Sequence, residues 1–242
     1  KVIYRLIEKC AAYIANTTYE RDFLIAKGIQ PQKIHVIGVG TDPEKFAQAS
    51  GATVKAKYQL DGSPVIAFVG QQGGHKGIET LIQAMPLVWQ KVPEAKLIIA
   101  GSRTNYSLVL DKMIKDLKTK AQNVTKIDNI DDSLKKEVLA ACDIFASPSG
   151  FESFGITYLE AWAAGKPVIG TRQGAIPTVI QEGEDGLLID YKDYRELAGV
   201  ILELLHDTRL RLKLGENGQK KVRQRYTWSK IAKKFRLVYQ RV

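Results

Sequence analysis

The plainest pattern in the chain is a run of five apolar residues, Val65-Ile66-Ala67-Phe68-Val69, closed by Gly70. A run this short and continuous suits a strand buried on both faces. Behind it, Ile78, Leu81, Ile82, Met85 and Val88 recur at i, i+3, i+4 and i+7. That spacing predicts a helix over 77–91 with one buried stripe. The alternation then repeats. Apolar strands are expected at 97–100, 144–146, 168–170 and 187–189, with a weaker one at 124–130. Helices are expected at 108–120, at 134–141 with Ser133 as the cap, and at 156–164 with Gly165 as the stop. From Asp193 the pattern is helical, through Leu197, Ile201, Leu204 and Leu205, then Trp228, Ile231, Phe235, Val238 and Tyr239. Repeated strand–helix–strand units with continuous apolar strands predict a doubly wound, Rossmann-like parallel sheet with helices on both faces.

The first 46 residues break this rhythm. A helix end at 6–11, a short strand at 13–15 and a helix at 20–27 stopped by Gly28 lead into a connection through Pro31 and Gly38-Val39-Gly40. We place a boundary near 35–46, with the first part as the last piece of another domain.

Composition narrows the class. A chain of 242 residues with 45% hydrophobic and 26% charged residues is globular and long enough for a full core. Cys10 and Cys142 have neither metal-ligand spacing nor a disulfide framework, which suggests a reducing compartment. No apolar run approaches the length of a membrane span. The net charge of +10 is unevenly placed: residues 208–242 hold twelve Lys or Arg against one acid, so the body is near neutral. The tail aromatics Tyr226, Trp228, Phe235 and Tyr239 fall at helical spacing, which predicts that they pack inward while the cations face water. This disfavours a nucleic-acid-binding module, whose mark would be a salt-dependent shift of RNA or DNA mobility.

Ligands of doubly wound sheets sit beyond the carboxyl ends of the strands, so the residues just after each strand carry the chemistry. The loop 70–77 (GQQGGHKG) offers glycines for close backbone approach and Lys76 as a full positive charge for phosphate. It matches neither the dinucleotide nor the P-loop pattern, and a plain turn competes with a binding role. The segment 149–160 (SGFESFGITYLE) joins a strand to a helix. The N–H groups near Phe154, Gly155 and Ile156 would form an anion site at the helix start, and Glu160 among apolar neighbours needs partners such as ligand hydroxyls. The competing reading makes Glu152 a helix cap and puts Glu160 on a solvated face. The turn Gly174-Ala175-Ile176-Pro177 is a third loop that could face the same cleft.

These residues carry a resemblance. The run 152–160, with Pro148-Ser149 before it and Ala163-Ala164-Gly165-Lys166-Pro167-Val168-Ile169 after it, resembles the E-x7-E region of retaining GT-B glycosyltransferases, closest to family GT4. Gly40, Asp42 and Phe46 resemble the family's inter-domain "nGvD…F" segment, Gly70 and Lys76-Gly77 its "GR….KG" loop, Gly186-Leu187-Leu188 its "G.Lv" strand, and Tyr226-Thr227-Trp228 its "fsW". The set runs in family order over nearly the whole chain.

The resemblance implies one half of a GT-B fold with extra C-terminal helices. Residues 1–35 would be the remnant of an N-terminal acceptor-binding domain, 36–225 the nucleotide-sugar domain and 226–242 an amphipathic helix. It implies transfer of a hexose from a UDP- or GDP-linked sugar to an acceptor hydroxyl, with retention and with no metal. Residues 1–242 alone would bind nucleotide without transferring sugar. It assigns Lys76 and the position of Gln71 to the diphosphate, Glu152 to the donor sugar at the reacting centre, the amides of Phe154, Gly155 and Ile156 to the distal phosphate, Glu160 to the ribose hydroxyls, and Gly40 to close approach at the phosphates. It implies a cytoplasmic enzyme whose basic tail could touch anionic membrane from the periphery. Three positions depart from the pattern: Gln71 stands for the usual Arg, Thr178 for a Glu, and Asn129 for a Gly. His75, when protonated, could partly replace the missing cation. A non-catalytic nucleotide-sugar-binding homologue is the rival reading. Non-hydrolysing epimerases share the fold, but the E-x7-E context argues against them.

Overall fold

The computed structural model describes residues 9–241. Strands β1 (Tyr13–Ala15) and β2 (Ile34–Val36) pair in parallel as a small separate sheet. Strands β3 (Val65–Val69), β4 (Lys96–Gly101), β5 (Val124–Asp128), β6 (Ile144–Ala146), β7 (Val168–Thr171) and β8 (Gly186–Ile189) form one parallel sheet in the order β5-β4-β3-β6-β7-β8. The chain starts this sheet in the middle, winds out to β5, and returns to the other side of β3. Every residue of β3 is buried. Because side chains alternate, Val65, Ala67 and Val69 enter one core with Phe145, Tyr158 and Trp162, while Ile66 and Phe68 enter the other with Leu81, Met85 and Ile201.

The helices are α1 (Thr18–Ala26), α2 (Pro43–Ala47), α3 (Ala52–Lys57), α4 (Ile78–Lys91), α5 (Ser107–Asp116), α6 (Asp132–Ala141), α7 (Ile156–Ala163), α8 (Ile176–Val179), α9 (Tyr194–His206), α10 (Thr208–Arg225) and α11 (Trp228–Tyr239). The helix expected to reach residue 120 stops at Asp116, because Lys118 turns to φ +54° and the chain tightens into a 3-10 turn. The cap of α6 is Asp131, whose carboxylate accepts the Leu134 N–H at 2.8 Å, and Ser133 lies inside the helix. The connection expected after Pro31 contains a 3-10 turn and β2. Of the helix end expected at 6–11, residues 6–8 lie outside the described part and 9–11 form a turn and bend.

Around the small sheet, Ala15, Leu24, Ile29 and Ile34 form a core of their own. Helix α11 packs there too, through Ile231 and Val238 on Ile37. The Thr41 N–H donates to the Tyr226 carbonyl at 2.7 Å and ties the segment after β2 to the turn before α11. The inward packing expected of the tail aromatics holds for only part of them. Tyr226 stacks edge-on against Phe154 with ring centres 5.6 Å apart. Trp228 and Tyr239 are 58% and 74% exposed, because α11 finds an apolar partner along one narrow stripe only. Two tail cations also turn inward. Lys221 pairs with buried Asp185 at 2.6 Å, and Lys234 donates to the Ile37 carbonyl at 3.0 Å. Burial lowers the pKa of both ammonium groups.

Candidate functional site

The sheet order makes the edge between β3 and β6 the point where the winding reverses, and so where a crevice opens at the strand ends. The loops leaving these two strands are locked to each other. The Gly150 N–H donates to the His75 carbonyl at 2.8 Å. Gly77, at φ +67°, lies so close to the Pro148 carbonyl that any Cβ would overlap it. Only glycine serves both demands.

This interlock brings Lys76 and Glu152 together. The Lys76 ammonium donates to Glu152 Oε1 at 2.7 Å, and the Ser149 hydroxyl donates to the same oxygen at 2.9 Å. The two side chains are 18% and 12% exposed. Thr171 Oγ1 in turn donates to the Ser149 carbonyl at 2.6 Å, so the loop is braced from β7. Among the described residues, Glu152 Oε2 carries no hydrogen bond, leaving one carboxylate oxygen for a ligand. Glu152 is therefore not a helix cap. The cap position of α7 is Gly155, left-handed at φ +85°, where a Cβ would overlap the Tyr158 ring.

Phe154 is buried, Gly155 starts the helix and Ile156 is its first residue, with an exposed side chain. None of their three N–H groups donates to another described residue, so the positive end of α7 is open. Glu160 is one turn further along, and its Cβ points back toward this end. It is 7% exposed, so the solvated-face reading fails. Lys135 of α6 donates to its Oε1 at 2.7 Å, and Oε2 has no donor among the described residues. Burial pushes the Glu160 carboxyl above its ordinary 4.5, and the Lys135 charge offsets this only in part. Lys135 was not found from the sequence. A cation 25 residues before Glu160 carries no local signal, because the pair exists through the packing of α6 beside α7.

The remaining expected positions are less central. Gln71 is exposed at the loop tip, and its side chain makes no hydrogen bond to another described residue. Gly40 approaches the Trp228 indole, where a Cβ would come within 2.6 Å of Cδ2 and Cε3. That contact accounts for the missing side chain without a ligand. Asn129 sits at φ +54°, a conformation Asn tolerates in place of Gly, and its Oδ1 accepts the Arg103 N–H at 2.9 Å. Thr178 Oγ1 bonds back to the Ala175 carbonyl within its own turn. Beside the Lys76 loop, Gln72 is fully buried and donates to Asp128 at 2.7 Å, while its Oε1 has no partner. Asp128 also binds Arg103 and Lys126, and its pKa falls to about 2, hydrogen bonds outweighing the opposing burial.

Known proteins resemble this chain in sequence and in fold. The chain is 30% identical over 97% of its length to D-inositol 3-phosphate glycosyltransferase of Corynebacterium glutamicum, covering 58% of that protein. It is 32% identical over 94% to the GDP-mannose-dependent monoacylated alpha-(1-6)-phosphatidylinositol monomannoside mannosyltransferase of Corynebacterium glutamicum, covering 61%. The chain thus spans between about half and three fifths of the curated relatives it matches. Among solved structures, Anabaena Alr3699/HepE in complex with UDP and glucose superposes with a TM-score of 0.89 at 23% identity, over 100% of this chain and 66% of that one. Sucrose-phosphate synthase from Thermosynechococcus elongatus gives 0.84 at 26%, over 99% and 60%. These are GT-B proteins, of which the six-stranded sheet here matches one half. The family described as glycosyl transferases group 1 matches residues 52–221, from α3 into the later turns of α10, and the chain belongs to that family.

Proposed function

We propose that this chain is the donor-binding half of a retaining glycosyltransferase that moves a hexose from a nucleoside-diphosphate sugar to an acceptor hydroxyl. The observation that carries the reading is the Lys76–Glu152 pair across the β3/β6 reversal, with the open end of α7 and Glu160 beside it. Lys76 and the α7 amides neutralise the diphosphate, and no metal is given a role. Glu160 Oε2 accepts the ribose hydroxyls. Glu152 Oε2 orients the donor sugar. In transfer, the anomeric C–O bond to the diphosphate breaks, a C–O bond to the acceptor oxygen forms on the same face, and the hydroxyl proton ends on the departing diphosphate. The solved neighbours with UDP bound support a nucleotide ligand. Residues 1–35 are read as part of the acceptor-side domain, and donor binding without turnover is the expected activity of residues 1–242 alone. Gln71 in place of a cation favours a second reading, binding without transfer; sugar transfer by any protein that contains this chain would exclude it.

The buried state of Glu160 gives a pH test. A protonated carboxyl has no charge and one acceptor fewer, so binding is lost as pH falls through the folded pKa. That pKa is raised, so the loss begins at higher pH than for an ordinary glutamate. Calorimetry of UDP with the wild type and with Glu160→Gln should give an affinity ratio that shrinks as the pH is lowered. Titration of UDP itself cancels in the ratio. A ratio independent of pH contradicts the assignment.

A further inference from the structure

The ion pair between Lys135 and Glu160 is only half used. The Glu160 side chain is 9% exposed and that of Lys135 is 23%, so both charges are largely withdrawn from water. A pair that served only to fasten α6 to α7 would use up its polar positions, because each one left empty away from water costs free energy. This pair leaves two. The Lys135 ammonium directs one N–H at Glu160 Oε1, at 2.7 Å, and Asp132 Oδ1 lies 3.2 Å away to take a second. The third N–H has no partner among the described residues, and neither has Glu160 Oε2. One unused donor and one unused acceptor therefore stand side by side. The ammonium is also held in place. It lies over the buried Phe46 ring, 5.9 Å from its centre, where the ring face attracts a cation. Burial works against its charge and Glu160 more than offsets this, so its pKa is raised and the lysine stays protonated.

We propose that Lys135 reads one of the two ribose hydroxyls directly, so that Glu160 and Lys135 recognise the diol as one donor and one acceptor. A carboxylate can only accept, so two hydroxyls placed on Glu160 alone would both have to donate. In the pair, one hydroxyl donates to Glu160 Oε2 and the oxygen of its neighbour accepts from Lys135. Lys135 is then a specificity-determining residue that selects nucleotides carrying both hydroxyls. The inference rests on the donor-binding reading above and moves one hydroxyl from Glu160 to Lys135.

Calorimetry on the 242-residue chain tests it, with the tightest binder among UDP, GDP and ADP and the 2′-deoxy and 3′-deoxy forms of that nucleotide. Mildly alkaline pH keeps Glu160 ionised when the lysine that lowers its pKa is removed. The wild type should lose about tenfold in affinity with each deoxy form, since each loses a hydrogen bond to a charged group. Lys135→Met keeps an apolar stem beside Phe46 and should treat the two unequally: one deoxy form still loses about tenfold, and the other binds as well as the parent nucleotide. Lys135→Arg keeps a donor and should restore both losses. A second measurement needs no variant. Fluorine accepts from a cation but cannot donate, so at one ribose position the fluoro form should bind wild type more tightly than the deoxy form, and at the other it should not. Nucleotide binding with both deoxy losses unchanged in Lys135→Met overturns the lysine contact and leaves the donor reading standing. Both losses vanishing in that variant also overturns it, since the lysine would then only hold Glu160 in place. So does a fluoro form that is no better than the deoxy form at either position. Failure of the wild type to bind any of the three nucleotides overturns the donor reading, and this inference with it.

Discussion

Replacing Lys76 with alanine is expected to weaken nucleoside-diphosphate binding by about 10- to 100-fold, because a hydrogen bond to a charged group contributes about 1.5–3 kcal/mol. Two effects act in the same direction. The diphosphate loses its side-chain cation, since Gln71 has no charge to offer. Glu152, only 12% exposed and now unpaired, repels the approaching anion. Ser149 still holds Glu152 Oε1 and the loops stay interlocked through Gly77 and Gly150, so the fold survives. The loss should therefore appear in calorimetric affinity with little change in melting temperature. Full UDP affinity in Lys76→Ala would remove the lysine from the site.

The second large effect concerns the scaffold. A glycine inside a helix normally costs about 1 kcal/mol relative to alanine, so Gly218→Ala in α10 would gain stability on propensity alone. Here the opposite is expected. Gly215 and Gly218, three apart on one face, let α10 close onto α7, and a Cβ at Gly218 would overlap Trp162 Cδ1. Trp162 cannot step aside. It is fully buried, its Nε1 donates to the Asp185 carbonyl at 2.6 Å, and Lys221 lies 4.8 Å from its ring centre. Overpacking of this kind costs about 1–3 kcal/mol, which should lower the melting temperature by roughly 2–10 °C. Gly199→Ala in α9 is the control, since nothing lies within 4 Å of a Cβ there, and it should be neutral or slightly stabilising. Equal stability of the two variants would show that α10 does not press on Trp162.

The legible parts of the fold were those with a strong period. Strands β3 and β6 and helix α4 follow directly from their apolar runs, because burial on one or both faces dictates every residue. Strand β2 was hidden because Ile34-His35-Val36 is three residues long with a polar centre, and only its pairing with β1 makes it a strand. Asp131 and Ser133 are both good caps, and which one serves depends on where α6 begins in space. The site divides the same way. Lys76, Glu152 and Glu160 stand out because polar groups directly after apolar strands, or inside an apolar helix, need a reason. Lys135, Ser149 and Thr171 do not stand out. Their roles arise from tertiary neighbours, and a lysine on a helix or a serine in a loop is ordinary by itself. The tail shows the reverse error: helical spacing indicates which residues share a face, not whether that face finds a partner, so Trp228 and Tyr239 remain in water.

The central claim is that a nucleoside diphosphate is held between the Lys76 loop and the start of α7. Calorimetric titration of UDP, GDP and ADP into the chain tests it most directly, with the Lys76→Ala/Glu160→Ala double variant alongside. The account predicts one saturable site per chain for at least one of the three nucleotides, lost in the double variant. No binding by any of them, or the same affinity in the double variant, would contradict it.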